Sequence, residues 1–170
     1  MVKIWQTQHI FDHPWTHVTS GHWRKYPNPY NPAVLSTDIV DRKVEDGVLH
    51  SKRLITTNFQ VPGWVRRLIG CNCIHAIEES KVDPRTQSLE MVSKNVTFCN
   101  LLNVKESITY SPDPSDPNKT VMTQKAEVSV PSMTYVEKTL TDSIAKNSKK
   151  GKEAMEWVIA KIAGDLEELS

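Results

Sequence analysis

Apolar residues alternate with polar ones over most of the chain. They switch to steps of three and four at two places, near the N-terminus and over the last quarter. Residues 1–12 hold Ile4, Trp5, Ile10 and Phe11 among polar neighbours, which predicts an imperfect strand, at an edge or with one wet face. Residues 34–44 and 48–57 predict two more strands, and Glu45-Asp46-Gly47 between them predicts a tight β-hairpin. Strands follow at about 73–83, 87–98, 103–111 and 119–130, with turns at Asp83-Pro84-Arg85-Thr86 and over the proline-rich stretch 111–118. Val104, Ile108 and Tyr110 alternate with Lys105, Ser107 and Thr109. Met122, Ala126, Val128 and Val130 alternate with Thr123, Lys125, Glu127 and Ser129. Such alternation sets one face on a core and the other in water, as in antiparallel sheets.

Pro14 suits the first turn of a helix, where its missing N–H has no helical partner. That helix is predicted over about 14–26, with Trp15, Val18 and His22 on one face. Tyr26-Pro27-Asn28-Pro29-Tyr30-Asn31-Pro32 then forces an extended, turning loop whose two tyrosines are expected to pack. Pro62 opens a short amphipathic segment with Trp64, Val65, Leu68 and Ile69 at helical spacing, Arg66 and Arg67 beside them, and glycines at 63 and 70. It suits a lid between flexible joints, or a surface helix packed permanently on the sheet. Residues 133–169 predict a long helix with the stripe Met133, Val136, Leu140, Ile144, Met155, Val158, Ile162 and Leu166. At about 1.5 Å per residue it is roughly 55 Å long. Between Ile144 and Met155 the stripe holds only Asn147 or Ser148 and Gly151, so the inward face turns small and polar, and Gly151 offers a place to bend.

The elements together predict an α+β fold: an antiparallel sheet of six or seven strands with a long C-terminal helix covering one face. The length of 170 residues fits a single domain, 1–170, and no internal repeat is visible. With 21 Lys plus Arg against 20 Asp plus Glu, no bulk charge draws the chain to nucleic acid. The longest uninterrupted apolar run is Trp157-Val158-Ile159-Ala160, far short of the about 20 residues of a membrane span. The N-terminus has neither the apolar stretch of a secretory signal nor an Arg- and Ser-rich transit helix, which points to the cytosol or an organelle entered by another route. Cys71, Cys73 and Cys99 form no Cys-x-x-Cys and predict buried free thiols rather than disulfides or zinc ligands.

The motifs of enzyme sites are missing from this sequence: no phosphate-binding glycine loop, zinc-protease helix or nucleophile elbow occurs. His9, His13 and His17 recur every four residues, but Pro14 breaks the helical register, so no metal site is expected. Glu78-Glu79 should point to opposite faces of a strand, and Glu167-Glu168 to water. The expectation is a protein that is not an enzyme and needs no cofactor. Chemistry concentrates instead in the polar gap, Lys146-Asn147-Ser148-Lys149-Lys150-Gly151-Lys152. Its lysines read most simply as a solvated face, yet Asn147 and Gly151 fall on the buried stripe. A buried amide needs a partner or costs about 1–3 kcal/mol. A ligand headgroup could supply one, with Lys149 or Lys150 neutralising a phosphate and Arg24-Lys25 offering a second cationic group. Polar gap, half-filled core and lid-like segment together predict an apolar cavity with a phosphate-reading end.

One family resemblance rests on Ile4-Trp5, His9-Ile10-Phe11, His13-Pro14-Trp15, Arg24-Lys25-Tyr26-Pro27-Asn28-Pro29, Asn31-Pro32 and Val34-Leu35. It continues through Arg53-Leu54, Pro62, Val65-Arg66, Ile69-Gly70, Val82-Asp83-Pro84, Asn147, Lys149-Lys150-Gly151, Ala154 and Glu156-Trp157. The chain resembles the PRELI/MSF1 domain over nearly its whole length, and its His-Pro-Trp start and Lys-Lys-Gly…Glu-Trp ending resemble the slowmo branch. The resemblance implies a curved seven-stranded sheet wrapped by helices and enclosing a phospholipid cavity under a mobile loop. It implies phospholipid transfer across the mitochondrial intermembrane space, in complex with a small helical twin-Cys-x9-Cys partner. The slowmo branch implies phosphatidylserine as cargo. A sister branch prefers phosphatidic acid, which is the alternative, as is a membrane-associated lipid-binding regulator that carries nothing.

By the same resemblance, Lys25 stands where the family contacts the lipid phosphate, Asn147 at the headgroup amide, and Lys149 in the basic stretch that follows. Pro62, Gly63, Trp64, Val65, Arg66, Arg67, Leu68, Ile69 and Gly70 occupy the lid, with the arginines favouring anionic membranes. Thr56-Thr57 replaces a lysine of the phosphatidic acid carriers near the end of the third strand. One fewer cation suits a serine headgroup better than a doubly charged phosphate monoester.

Overall fold

The computed structural model describes residues 2–58, 73–99, 102–129 and 134–167, with the backbone alone over 134–141 and 165–167. Among these residues lie β1 (Val2–Phe11), α1 (Trp15–Arg24), β2 (Val34–Glu45), β3 (Val48–Asn58), β4 (Cys73–Asp83), β5 (Ser88–Asn95), β6 (Asn103–Pro112), β7 (Thr120–Ser129) and α2 (Thr134–Glu167). The seven strands form one sheet in the order β1-β7-β6-β5-β4-β3-β2. Every pairing is antiparallel. β2 to β7 run as a meander because each pair is joined along the chain. β1 pairs with β7 at the far edge, so α1 and the proline loop must carry the chain back across one face. That face is also where α2 lies, and the site forms between them.

Local chemistry explains the boundaries. Asp46 and Gly47 both have positive φ, at 50° and 78°, the backbone that a two-residue hairpin turn requires. Pro14 precedes α1 rather than occupying its first turn, and its carbonyl accepts the amides of His17 and Val18 at 2.9 and 3.2 Å. The helix stops at Arg24, short of the expected Tyr26, because Pro27 disfavours helical backbone in the residue before it. β5 ends at Asn95 rather than near 98. The Asn95 side chain accepts from the Val104 amide and donates to the Thr97 and Leu102 carbonyls, each at 2.8 Å, which turns the chain out of the sheet.

The main core joins both helices to the sheet. Met155, Val158 and Ile159 of α2 pack with Trp15 and Val18 of α1 and with Phe11, Leu89, Tyr110 and Met122 of the strands. A smaller cluster sets Val128 against Leu102, Val104 and Ile144. At the crossing of the helices, a Cβ on Gly21 would lie 3.0 Å from Ile159 Cγ1 and 3.3 Å from both Met155 Sδ and Val158 Cγ1. Gly21→Ala is therefore expected to destabilise the fold. Overpacking of about 1–3 kcal/mol outweighs the gain of about 0.5–1 kcal/mol from helix propensity. A lower urea midpoint at unchanged slope is the expected readout; a raised midpoint would show that the helices part without cost.

Beyond these boundaries other expectations change, and Cys73 is half-buried rather than buried. Cys99 is exposed, not buried, because it sits past the end of β5, where its thiol lies 3.2 Å from the Asn95 carbonyl. Tyr30 is exposed too, with its ring 6.4 Å from that of Trp157, since Asn28 and Asn31 rather than the tyrosine fill the interior of the proline loop. Pro14 lies outside the helix it was expected to open. The lid expectation over residues 62–70, and Cys71 with it, lies outside the described residues. No helix among the described residues is long and apolar enough to cross a membrane.

Candidate functional site

A cavity of about 270 Å³ lies between the inner face of the sheet and the polar stretch of α2. Apolar strand residues such as Ile55, Ile74, Met91 and Ile108 line it on one side. On the other, α2 contributes Ile144, Asn147, Ser148, Gly151 and Lys152, the break in its apolar stripe. The proline loop forms a wall through Tyr26 and Asn31. It is held there by Asn28, which donates to the Ala154 carbonyl of α2 at 3.0 Å, and by Asn31, which donates to the Tyr26 hydroxyl at 3.1 Å. The asparagines of this loop thus hold its shape and its docking to α2.

Lys25, just past the end of α1, reaches in beneath Gly151. A Cβ at Gly151 would lie 3.4 Å from Lys25 Nζ, an ordinary contact distance, so the ammonium lies directly against this turn of α2. One flank of Lys25 faces the cavity, which leaves the residue half-buried by surface area, while its ammonium is enclosed by protein. Burial pulls its pKa down. The charges and hydroxyl of Tyr26, and the charges of Tyr110 and Glu106, more than offset this, and the net shift is upward. Burial pushes the Tyr110 phenol up to about 12, so it is an uncharged hydroxyl in neutral solution. The Tyr26 hydroxyl and the Glu106 carboxyl then remain as the groups that favour charge on Lys25.

Two polar systems on the inner face were, apart from Ser148 of the polar gap, not legible as site residues. In the first, Arg53 donates to Glu78 Oε1 from Nε at 3.0 Å and from Nη2 at 2.6 Å, and both residues are buried. The same Nη2 lies 2.6 Å from His22 Nε2, which fixes that nitrogen as an acceptor. Burial, then the charges of Arg53 and Lys25, hold the His22 pKa well below the usual histidine value. His22 is therefore neutral. The Trp23 ring covers the guanidinium at 4.9 Å. In the second system, the Ser148 hydroxyl donates to Gln124 Oε1, and Gln124 Nε2 donates to Glu106 Oε1 at 2.6 Å. Burial raises the Glu106 pKa, while the Gln124 hydrogen bond and the Lys25 charge oppose the rise. Lys152 carries a third cavity cation; burial lowers its pKa, and its Nζ lies 3.3 Å from Thr7 Oγ1.

Of the five expected headgroup residues, Lys25 and Asn147 line the cavity together. Arg24 and Lys149 are exposed, Lys150 is half-buried, and none of the three is among the residues lining the cavity. The helical turn explains this: Asn147, Ser148, Gly151 and Lys152 share one face of α2, and 149 and 150 fall between. Thr57 lines the cavity, while the Thr56 hydroxyl lies 3.1 Å from His75 Nδ1. His9 and His13 instead flank Glu156 of α2, at 3.3 and 3.9 Å. No group of three metal-ligating residues occurs among the described residues.

Comparison with known proteins adds to this geometry. Residues 16–165 match the PRELI-like family. The chain is 36% identical over 168 residues to the UPS-like protein C36.10 of Schizosaccharomyces pombe, covering 95% of this chain and 91% of that one. It is 37% identical over 167 residues to the protein UPS2, mitochondrial, of Saccharomyces cerevisiae, covering 93% and 73%. To the slowmo homolog of Dictyostelium discoideum it is 31% identical over 166 residues, covering 95% and 73%. Among solved structures, TTHA0849 from Thermus thermophilus superposes with a TM-score of 0.65 at 13% identity, over 94% of this chain and 99% of that one. Ara h 8.0201 superposes with a TM-score of 0.58 at 12% identity, over 94% and 99%. At such identities these two likenesses concern the fold alone.

Proposed function

The chain belongs to the PRELI-like family, slowmo relatives included, a membership that supports a lipid-transfer role, and from this premise we propose that it carries phosphatidylserine one molecule at a time between mitochondrial membranes. The observation that carries this reading is the buried Lys25 ammonium facing a cavity whose remaining wall is largely apolar. In the proposed complex the lipid phosphate sits by Lys25 and Asn147. The cavity of about 270 Å³ is near the small end of ligand sites, which span roughly 300–1,000 Å³. It suits a headgroup and glycerol, with the acyl chains extending beyond it from the apolar side.

No covalent step is required. Lipid leaves one apolar phase for another, so the net free energy is small, although each buried methylene is worth about 0.8 kcal/mol against water. The protein lowers the barrier through water. The route across the intermembrane space, the docking on anionic surfaces and the small twin-Cys-x9-Cys partner belong to this proposal. The mitochondrial setting is supported by the name of the yeast relative.

The test is transfer of labelled phosphatidylserine and phosphatidic acid between donor and acceptor vesicles, with and without a twin-Cys-x9-Cys partner. Phosphatidylserine transfer well above the protein-free rate is expected. Transfer of phosphatidic acid alone would reassign the cargo. Membrane binding without transfer of either would leave a lipid-sensing protein instead.

A further inference from the structure

We propose that Glu106 is the acceptor for a headgroup ammonium, so that the cavity selects phospholipids whose headgroup carries a primary amine. This inference rests on the carrier reading above and adds what that reading lacks, a residue that tells one headgroup from another.

An anionic lipid should be repelled by a carboxylate in its own pocket, yet Glu106 lines this cavity from the inner face of β6. The residue is half-buried by surface area because it faces the cavity, with protein around its carboxyl, and an isolated charge there is costly unless paired. Among the described residues its hydrogen bond comes from one donor, Gln124 Nε2. The Ser148 hydroxyl, by donating to Gln124 Oε1, turns the amide so that its NH2 faces Glu106. The carboxyl group is thus oriented by a chain that begins on α2 at the cavity wall.

Lys25 is the obvious counter-ion, but no ion pair within 4.0 Å joins the two among the described residues. Both line the same cavity, an acid and a cation that are not paired with each other. The other acid there, Glu78, is already engaged by Nε and Nη2 of Arg53. Glu106 is therefore the acid left for a ligand. A phosphate monoester would bring up to two negative charges beside it and nothing to pair with it. A serine or ethanolamine headgroup brings a phosphate for Lys25 and, a few bonds away, an ammonium for Glu106. The dipole of the headgroup then matches the dipole built into the cavity wall, and charge-assisted bonds to both ends fix its orientation.

The experiment runs vesicle-to-vesicle transfer of four lipids with identical acyl chains. Phosphatidylserine and phosphatidylethanolamine carry the amine; phosphatidylglycerol and phosphatidic acid do not. The wild-type chain is expected to move the amine-bearing pair about tenfold faster than the others, and Glu106→Gln, nearly the same in shape, to bring that ratio within about twofold. A ratio that survives Glu106→Gln in a folded protein overturns the proposal. So does a wild-type chain that moves all four alike or favours the amine-free pair, and in both cases the carrier reading stands. Movement of none of the four would overturn the carrier reading beneath it. Should Glu106→Gln fail to fold, N-acetylated phosphatidylserine offered to the wild-type chain asks the same question. Competition about tenfold weaker than by phosphatidylserine supports the acceptor, and equal competition sinks it.

Discussion

Lys25→Glu should lower phospholipid transfer by about ten- to a hundredfold while the protein remains folded. A hydrogen bond to a charged group contributes about 1.5–3 kcal/mol, and each 1.4 kcal/mol is a factor of ten. Charge reversal removes that attraction and adds repulsion of the phosphate. The fold survives because the new carboxyl sits near Glu106, whose pKa burial already raises. Burial and a nearby like charge both favour the neutral acid, so the new carboxyl takes up a proton rather than bursts the core. Lys25→Met keeps the apolar stem and drops only the charge, so it should fall about tenfold. Lys149→Glu reverses an exposed charge away from the cavity, and its smaller effect should vanish with added salt, as surface attraction does. Melting curves of all three keep lost binding apart from lost structure. A folded Lys25→Glu protein with wild-type transfer would mean that the phosphate is read elsewhere.

The contrast between Lys25 and Lys149 shows what the sequence could and could not reveal. The strands were legible because alternation over eight or more residues has one physical meaning. The break in the α2 stripe at Asn147, Ser148 and Gly151 was legible for the same reason: an apolar rhythm that stops must face something other than core. By spacing alone Lys25 is half of a basic pair; the resemblance singles it out, and the fold gives the physical reason, by setting Gly151 beside it and leaving Arg24 in water. Glu106 and Gln124 were hidden by their own strands. Each stands at a position that the alternation assigns to the core, and in a list of core residues a single polar exception is easily passed over. Read as exceptions, they were the signal for a polar cavity end. Arg53 and Glu78 lie 25 residues apart on β3 and β4, and their register, Arg53 opposite Glu78, depends on where the β4 strand starts. Residue spacing alone does not pair them.

That pair makes the sharpest stability prediction. Glu78→Ala should cost about 3–5 kcal/mol, because it strands the buried Arg53 guanidinium without its carboxylate. Against a total of roughly 5–15 kcal/mol this leaves a protein near the edge of folding, and the urea midpoint should fall accordingly. The double variant Arg53→Met with Glu78→Leu removes both charges and fills the space with methylenes. It should regain most of the loss, since a buried ion pair gains little over apolar packing once its desolvation is counted. The difference between the double variant and the summed single ones measures the coupling. Equal destabilisation by Glu78→Ala and by the double variant would mean that burial of charge is not what the pair resolves. The same double variant separates structure from function. Arg53 lines the cavity, yet its Nε and Nη2 protons are directed at Glu78 and His22. If those bonds occupy its charge, the stable double variant transfers lipid within about threefold of the wild-type rate. A much larger drop in a folded double variant would show that Arg53 reaches the phosphate beside Lys25, and that Glu78 only holds it ready.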